Sequence, residues 1–215
     1  MTHTADPTTF RKRVYTLPRF GADLLTVVRR RGAVVRPWRP NSVDPLLREQ
    51  MMFAVAMVND CKFCAYVHDA AAIAEGADRA SLARLVGLDP DQADDDRLLT
   101  ILWAQSRTHA ALGPADDALE AAMRQRYTAA ELLDLDTVVR VMTLANIAGN
   151  TAEALLRRLR GHTVPGSRLG DEVTIGGGYL LGSVVPAART AAQRRVSPRR
   201  ILREFRAFDG AASAR

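Results

Sequence analysis

The 215-residue chain has 47% hydrophobic content, enough to bury one substantial core, which predicts a single domain. Its net charge of +6 is unevenly spread: residues 1–40 carry 9 basic and 2 acidic side chains, residues 41–155 carry 9 and 18, and residues 156–215 carry 12 and 4. Two cysteines are too few for a disulfide-stapled secreted scaffold. The N-terminal MTHTADPTTFRKRVYTLPRF lacks the apolar core of a secretory signal, and Val173 to Ala188, broken by glycines and Pro186, is too short to span a bilayer. The expectation is a cytoplasmic protein without a membrane span.

Residues 1–17 read as irregular, and Arg19–Arg31 as a helix whose last arginines sit where the negative end of the helix dipole favours cations. Pro37-Trp38-Arg39-Pro40 reads as a linker. Asp44-Pro45 then marks a helix start, an N-cap carboxylate followed by proline in the first turn, and Leu46–Val58 is an apolar helical run. Asn59-Asp60 interrupts it. A second helix begins near Cys61 and ends at Glu75, capped by Gly76.

Farther on, a short helix is expected from Asp78 to Val86, then helices over Arg97–Leu112 and Ala115–Tyr127. Thr128-Ala129-Ala130-Glu131 is a capping box. The apolar pattern after it, through Leu159, predicts two helices with a break near Asp134–Asp136. Gly176-Gly177-Gly178 lacks the strand and Lys-Ser/Thr of a phosphate loop, which favours packing against a neighbouring helix. Ser197-Pro198 opens a terminal, arginine-rich helix. With alanine, leucine and arginine abundant and no alternating run that demands a strand, the fold class is all-α.

The chemistry concentrates in Glu49–His68. Cys61-Lys62-Phe63-Cys64 is a dithiol that can close a small disulfide ring or hold a metal. A zinc site needs four ligands, and only His68, His109 or an acidic residue could join the pair. In an antiparallel hairpin Glu49 lies about 14 Å down the first helix and His68 about 10 Å down the second, so they come level. His68 follows Cys64 by four residues, on one helical face. Cys64, His68 and Glu49 therefore form a candidate thiol, base and orienting carboxylate, and unpaired N–H groups at the helix start favour the thiolate. His109 and His162 have no such surroundings. Asn146 and Asn150, four apart, fit either a subunit interface or a satisfied buried backbone.

The spacing Glu-x11-Cys-x2-Cys-x3-His, met by Glu49, Cys61, Cys64 and His68, resembles the signature of the AhpD-like alkylhydroperoxidases of the carboxymuconolactone decarboxylase superfamily. The likeness is closest over Leu47–Gly76 and looser through Leu98–Thr108 and the helix holding Asn146 and Asn150, about half of the chain. It implies an AhpD-like helical bundle with a central antiparallel hairpin carrying the CxxC, in a homo-oligomer, a trimer or hexamer. By the same resemblance Cys64 is the peroxide-attacking sulfur, Cys61 the resolving and more exposed one, and Glu49 and His68 a proton relay. No bound cofactor is implied; the electrons come from an external dithiol, lipoamide- or thioredoxin-like, and the substrate is a peroxide or a disulfide. Some members place histidine before the second cysteine, where this chain has Phe63, which weakens proton delivery.

Residues 1–40 then read as a basic N-terminal extension, 44–160 as the redox core and 161–215 as a basic C-terminal helical extension. The arginine-rich terminal helix has no aromatic platform or reader motif for nucleic acid, so contact within an oligomer is expected. The competing readings are a superfamily decarboxylase or isomerase acting on a small lactone, which needs no dithiol, and a non-enzymatic thiol sensor.

Overall fold

The computed structural model describes residues 10–78, 95–184 and 197–208, and among these there is helix and no strand. The helices are α1 (Leu17–Arg29), α2 (Pro45–Val58), α3 (Lys62–Ala74), α4 (Asp95–His109), α5 (Asp117–Arg126), α6 (Ala129–Arg158), α7 (169–184) and α8 (Pro198–Ala207). Single helical turns at Arg31–Val34 and Arg36–Trp38 link α1 towards α2. The second of these occupies the expected linker, and Pro37 is buried. The short helix expected over Asp78–Val86 lies almost wholly outside the described residues.

Local chemistry fixes several ends. Asp44 Oδ1 accepts the Leu47 N–H at 2.8 Å with Pro45 in the first turn, as its position before the apolar run requires. Thr128 and Glu131 cap α6 reciprocally, satisfying two N–H groups that the helix itself cannot. At the far end of α3, Gly76 takes φ +102°, and Ala77 N–H reaches back to the Ala72 carbonyl at 2.9 Å, the closure that glycine makes at helix C-termini.

α2 is central. Leu47, Met51, Met52, Phe53, Ala54, Val55 and Ala56 are all buried, so the helix is covered on nearly every side, by α3, α4 and α6. This is the hairpin-centred bundle expected. A smaller cluster on α6 joins Ile147 and Ala148 to Tyr15 and to Ile175 of α7. Tyr15 N–H donates to Thr151 Oγ1 at 2.9 Å and Leu17 N–H to Asp171 Oδ1 at 2.9 Å. A fully buried Glu172 accepts both arms of Arg158, at 2.5 and 2.9 Å. Bidentate pairing is what allows a carboxylate to sit there.

The expected break near Asp134–Asp136 does not occur: α6 runs unbroken for 30 residues. Its carboxylates are claimed mainly from outside the helix. Asp134 receives Arg36 at 2.6 Å and Ser42 at 3.2 Å, while Asp136 receives Arg30 at 2.6 Å, Arg107 at 2.8 Å and Arg140 at 2.8 Å. Four arginines from three parts of the chain thus outweigh the weak helix propensity of aspartate.

The glycine-punctuated segment is helix α7, with one π-type stretch at Glu172–Gly176. Gly176 faces α6 so closely that a Cβ there would lie 2.8 Å from Ala152 Cα. Packing against a neighbouring helix is thus the role of Gly176, whereas Gly177 and Gly178 have open space at their would-be Cβ positions.

Candidate functional site

The turn between α2 and α3 delivers the dithiol. Asp60 adopts φ +54°, and Cys61 N–H bonds the Ala56 carbonyl at 3.0 Å while Asp60 N–H bonds that of Met57 at 3.1 Å. This paired closure usually carries glycine. It ends α2 and places Cys61 as the N-cap of α3, with Cys64 in the first turn. The sulfurs lie at disulfide distance, with Cα atoms 5.4 Å apart, inside the normal range. Among the described residues no three His, Cys, Asp or Glu side chains converge as metal ligands would.

Glu49 and His68 meet as the helical register requires. Nδ1 of His68 lies 2.8 Å from Glu49 Oε2, with the two side chains 16% and 12% exposed. Burial works against a charged Glu49, but the His68 hydrogen bond and charge, together with Arg48 3.5 Å away, outweigh it, and its carboxyl is held below the ordinary glutamate range. With Nδ1 committed to Glu49, Nε2 is the nitrogen left for proton exchange. His68 stands one turn beyond Cys64 on the same face of α3.

Cys61 and Cys64 are 3% and 4% exposed, so residue exposure does not make Cys61 the more open of the two. Their surroundings do differ. A cavity of about 590 Å³ is lined by Cys61, Phe63, Gly149, Tyr179, Leu180 and Phe205, among others. Lys12, Lys62, Arg157 and Arg160 also line it, against a single acid, Glu153, which Lys12 engages at 2.8 Å and Arg157 at 3.5 Å. The cavity therefore meets Cys61, while Cys64 faces Tyr179, whose hydroxyl is 3.5 Å from its sulfur. Burial pushes the Tyr179 phenol above its ordinary range, with a smaller opposing effect from Ser183.

Tyr179 and Gly149 are the parts of this site that the sequence did not reveal. A Cβ on Gly149 would come within 3.1 Å of Cys61 Sγ and 3.2 Å of the Tyr179 hydroxyl. The missing side chain thus makes the space that both groups occupy. A glycine inside a strong helix is a sign of close approach that could have pointed there; for Tyr179 no local signal exists. Phe63 does not reach the relay but stacks edge-on with Phe205 of α8, ring centres 5.8 Å apart.

Asn150 donates to the Asn59 carbonyl at 2.8 Å, and Arg13 donates to the Asn59 side chain, so the hairpin turn is held from two directions. Asn150 thus satisfies buried backbone, one of the two roles its spacing allows. Asn146, wholly buried, finds no partner for either amide atom among the described residues.

Among the described residues no helix is long and apolar enough to cross a membrane. No curated protein and no solved structure matches the chain. Residues 25–102, the stretch that holds Glu49, Cys61, Cys64 and His68, match the Carboxymuconolactone decarboxylase family, which covers the AhpD-like superfamily.

Proposed function

We propose that the protein is a thiol-dependent oxidoreductase that reduces organic hydroperoxides, or exchanges disulfides, through a Cys61/Cys64 dithiol cycle. The observation that carries this reading is a CxxC at a helix start with a part-buried Glu49–His68 pair, 2.8 Å apart, one turn away. In the reduced protein the Cys64 thiolate attacks the peroxide oxygen, forming a sulfenic acid as the O–O bond breaks. His68, oriented by Glu49, supplies the proton that the departing alkoxide takes up. Cys61 then attacks the sulfenic acid, closing the disulfide and releasing water. An external dithiol, lipoamide- or thioredoxin-like, restores both thiols in a reducing, cytoplasmic setting.

The cavity supports a substrate class. Its apolar walls and surplus of cations favour an organic hydroperoxide bearing an anionic group over hydrogen peroxide, which offers neither feature to bind. A homo-oligomer, trimer or hexamer, fits α1, where Leu17, Leu24, Leu25 and Val28 are all more than a third exposed and share one helical face.

A coupled assay tests the activity: dihydrolipoamide, thioredoxin and glutathione are offered in turn with an organic hydroperoxide. Sustained turnover with a dithiol is expected. No peroxide consumption with any of the three donors rejects the peroxidase reading.

A further inference from the structure

We propose that Tyr179 is a catalytic residue: its hydroxyl hydrogen-bonds Cys64 Sγ and makes Cys64 the leaving sulfur when a thiol opens the disulfide by attack on Cys61. The proposal rests on the dithiol cycle above and adds to it a direction. Three observations carry it.

First, the contact is asymmetric. The phenol oxygen lies 3.5 Å from Cys64 Sγ, whereas the cavity by which a reductant arrives is lined by Cys61. Second, the phenol is held in place. Gly149 leaves room for its ring tip beside Cys61, and Gly176, one turn before Tyr179, locks α7 against the α6 backbone. Third, burial keeps the phenol protonated, so it donates a hydrogen bond and does not add a negative charge beside the sulfur.

The step balances. A thiolate of the external dithiol attacks Cys61 Sγ, a new S–S bond forms to Cys61, and the Cys61–Cys64 bond breaks with its electron pair moving onto Cys64. The Tyr179 O–H bonds the new thiolate without giving up its proton, and the first turn of α3 assists. The second thiolate of the reductant then attacks its own bound sulfur, leaves as a cyclic disulfide and releases Cys61. Exchange is faster when the leaving thiolate is stabilised, and this arrangement stabilises one sulfur of the pair. The same hydrogen bond would hold Cys64 as the thiolate for the peroxide step.

The other titratable groups around the pair are His68 on α3, Glu49 on α2 and the cavity's Lys12, Lys62, Glu153, Arg157 and Arg160, all unchanged in a Tyr179→Phe protein. Oxidised wild type and Tyr179→Phe are mixed with dithiothreitol, and disulfide opening is timed by stopped flow. The variant should open about 10- to 100-fold more slowly, the worth of a hydrogen bond to a charged group. In the reduced proteins, the pH midpoint for alkylation of Cys64 should move upward in the variant. In Cys64→Ser, a glutathione mixed disulfide should accumulate on Cys61. Gly177→Ala, on the same helix with open space around its would-be Cβ, should open at the wild-type rate and so controls for substitution in α7. Unchanged opening and alkylation in a folded Tyr179→Phe protein would overturn the proposal, as would equal slowing in Gly177→Ala. None of these measurements uses a peroxide, so a failure of peroxidase turnover and a failure of the Tyr179 role are separable.

Discussion

Replacing Gly176 by alanine should damage the protein, although alanine is the better helix former. A Cβ there would lie 2.8 Å from Ala152 Cα and from Thr151 O, and 2.9 Å from Ala152 N, all rigid backbone of α6. Ordinary contact begins near 3.4 Å, so α7 must retreat by the difference, about 0.6 Å. Overpacking of this kind costs about 2–3 kcal/mol, and the intrinsic gain of alanine over glycine returns about 1. The net loss is about 1–2 kcal/mol, which lowers Tm by about 2–8 °C in a chain of this length. Gly177, with no heavy atom within 4 Å of its would-be Cβ, is the control: Gly177→Ala should gain up to about 1 kcal/mol. Thermal unfolding by circular dichroism reads both. Because Tyr179 follows one turn later, Gly176→Ala should also slow disulfide opening while Gly177→Ala does not. A Gly176→Ala protein as stable as wild type would refute the close-packing argument.

Three further predictions address the site and its frame. Glu49→Gln and His68→Ala should each lower peroxide turnover by about 10²- to 10⁴-fold, and the double variant little more than the worse single one, because the two act as a unit. Wild-type rates and pH profiles in both single variants would make the pair mere packing. Burial opposes a charged Asp136, yet Arg140, Arg107 and Arg30 outweigh it and hold its carboxyl below the ordinary range. Its stabilisation is thus complete above the ordinary aspartate pKa and lost as pH falls through the depressed one. Asp136→Asn should cost about 3 kcal/mol near neutral pH and weaken the acid dependence of Tm; an unchanged acid limb would contradict this. Lys62→Glu with Arg160→Glu should lower kcat/KM for a carboxylated alkyl hydroperoxide by about tenfold, with cumene hydroperoxide as the neutral reference; equal losses on both would remove the anionic-substrate reading.

How far the chain could be read depends on the range of the interaction. Asp44-Pro45, Gly76 and the Thr128–Glu131 box act within a few residues, and the fixed rise of a helix was enough to bring Glu49 level with His68. The continuity of α6 was hidden because Asp134 and Asp136 are neutralised by Arg36 and Arg30, about a hundred residues earlier. Seen alone, two aspartates in a helical stretch read as a break. Tyr179 was hidden for the same reason: it reaches Cys64 across 115 residues of chain, from a segment whose glycines looked like interruptions although one of them, Gly176, fits α7 against α6.

The dithiol cycle is tested most directly by giving one equivalent of an organic hydroperoxide to reduced Cys61→Ser and Cys64→Ser proteins and mapping the product by mass spectrometry with a sulfenic-acid trap. The account predicts one equivalent consumed by Cys61→Ser, with the trap on Cys64, and no consumption by Cys64→Ser. A trap found only on Cys61, or peroxide consumed equally by the Cys64→Ser protein, would contradict it.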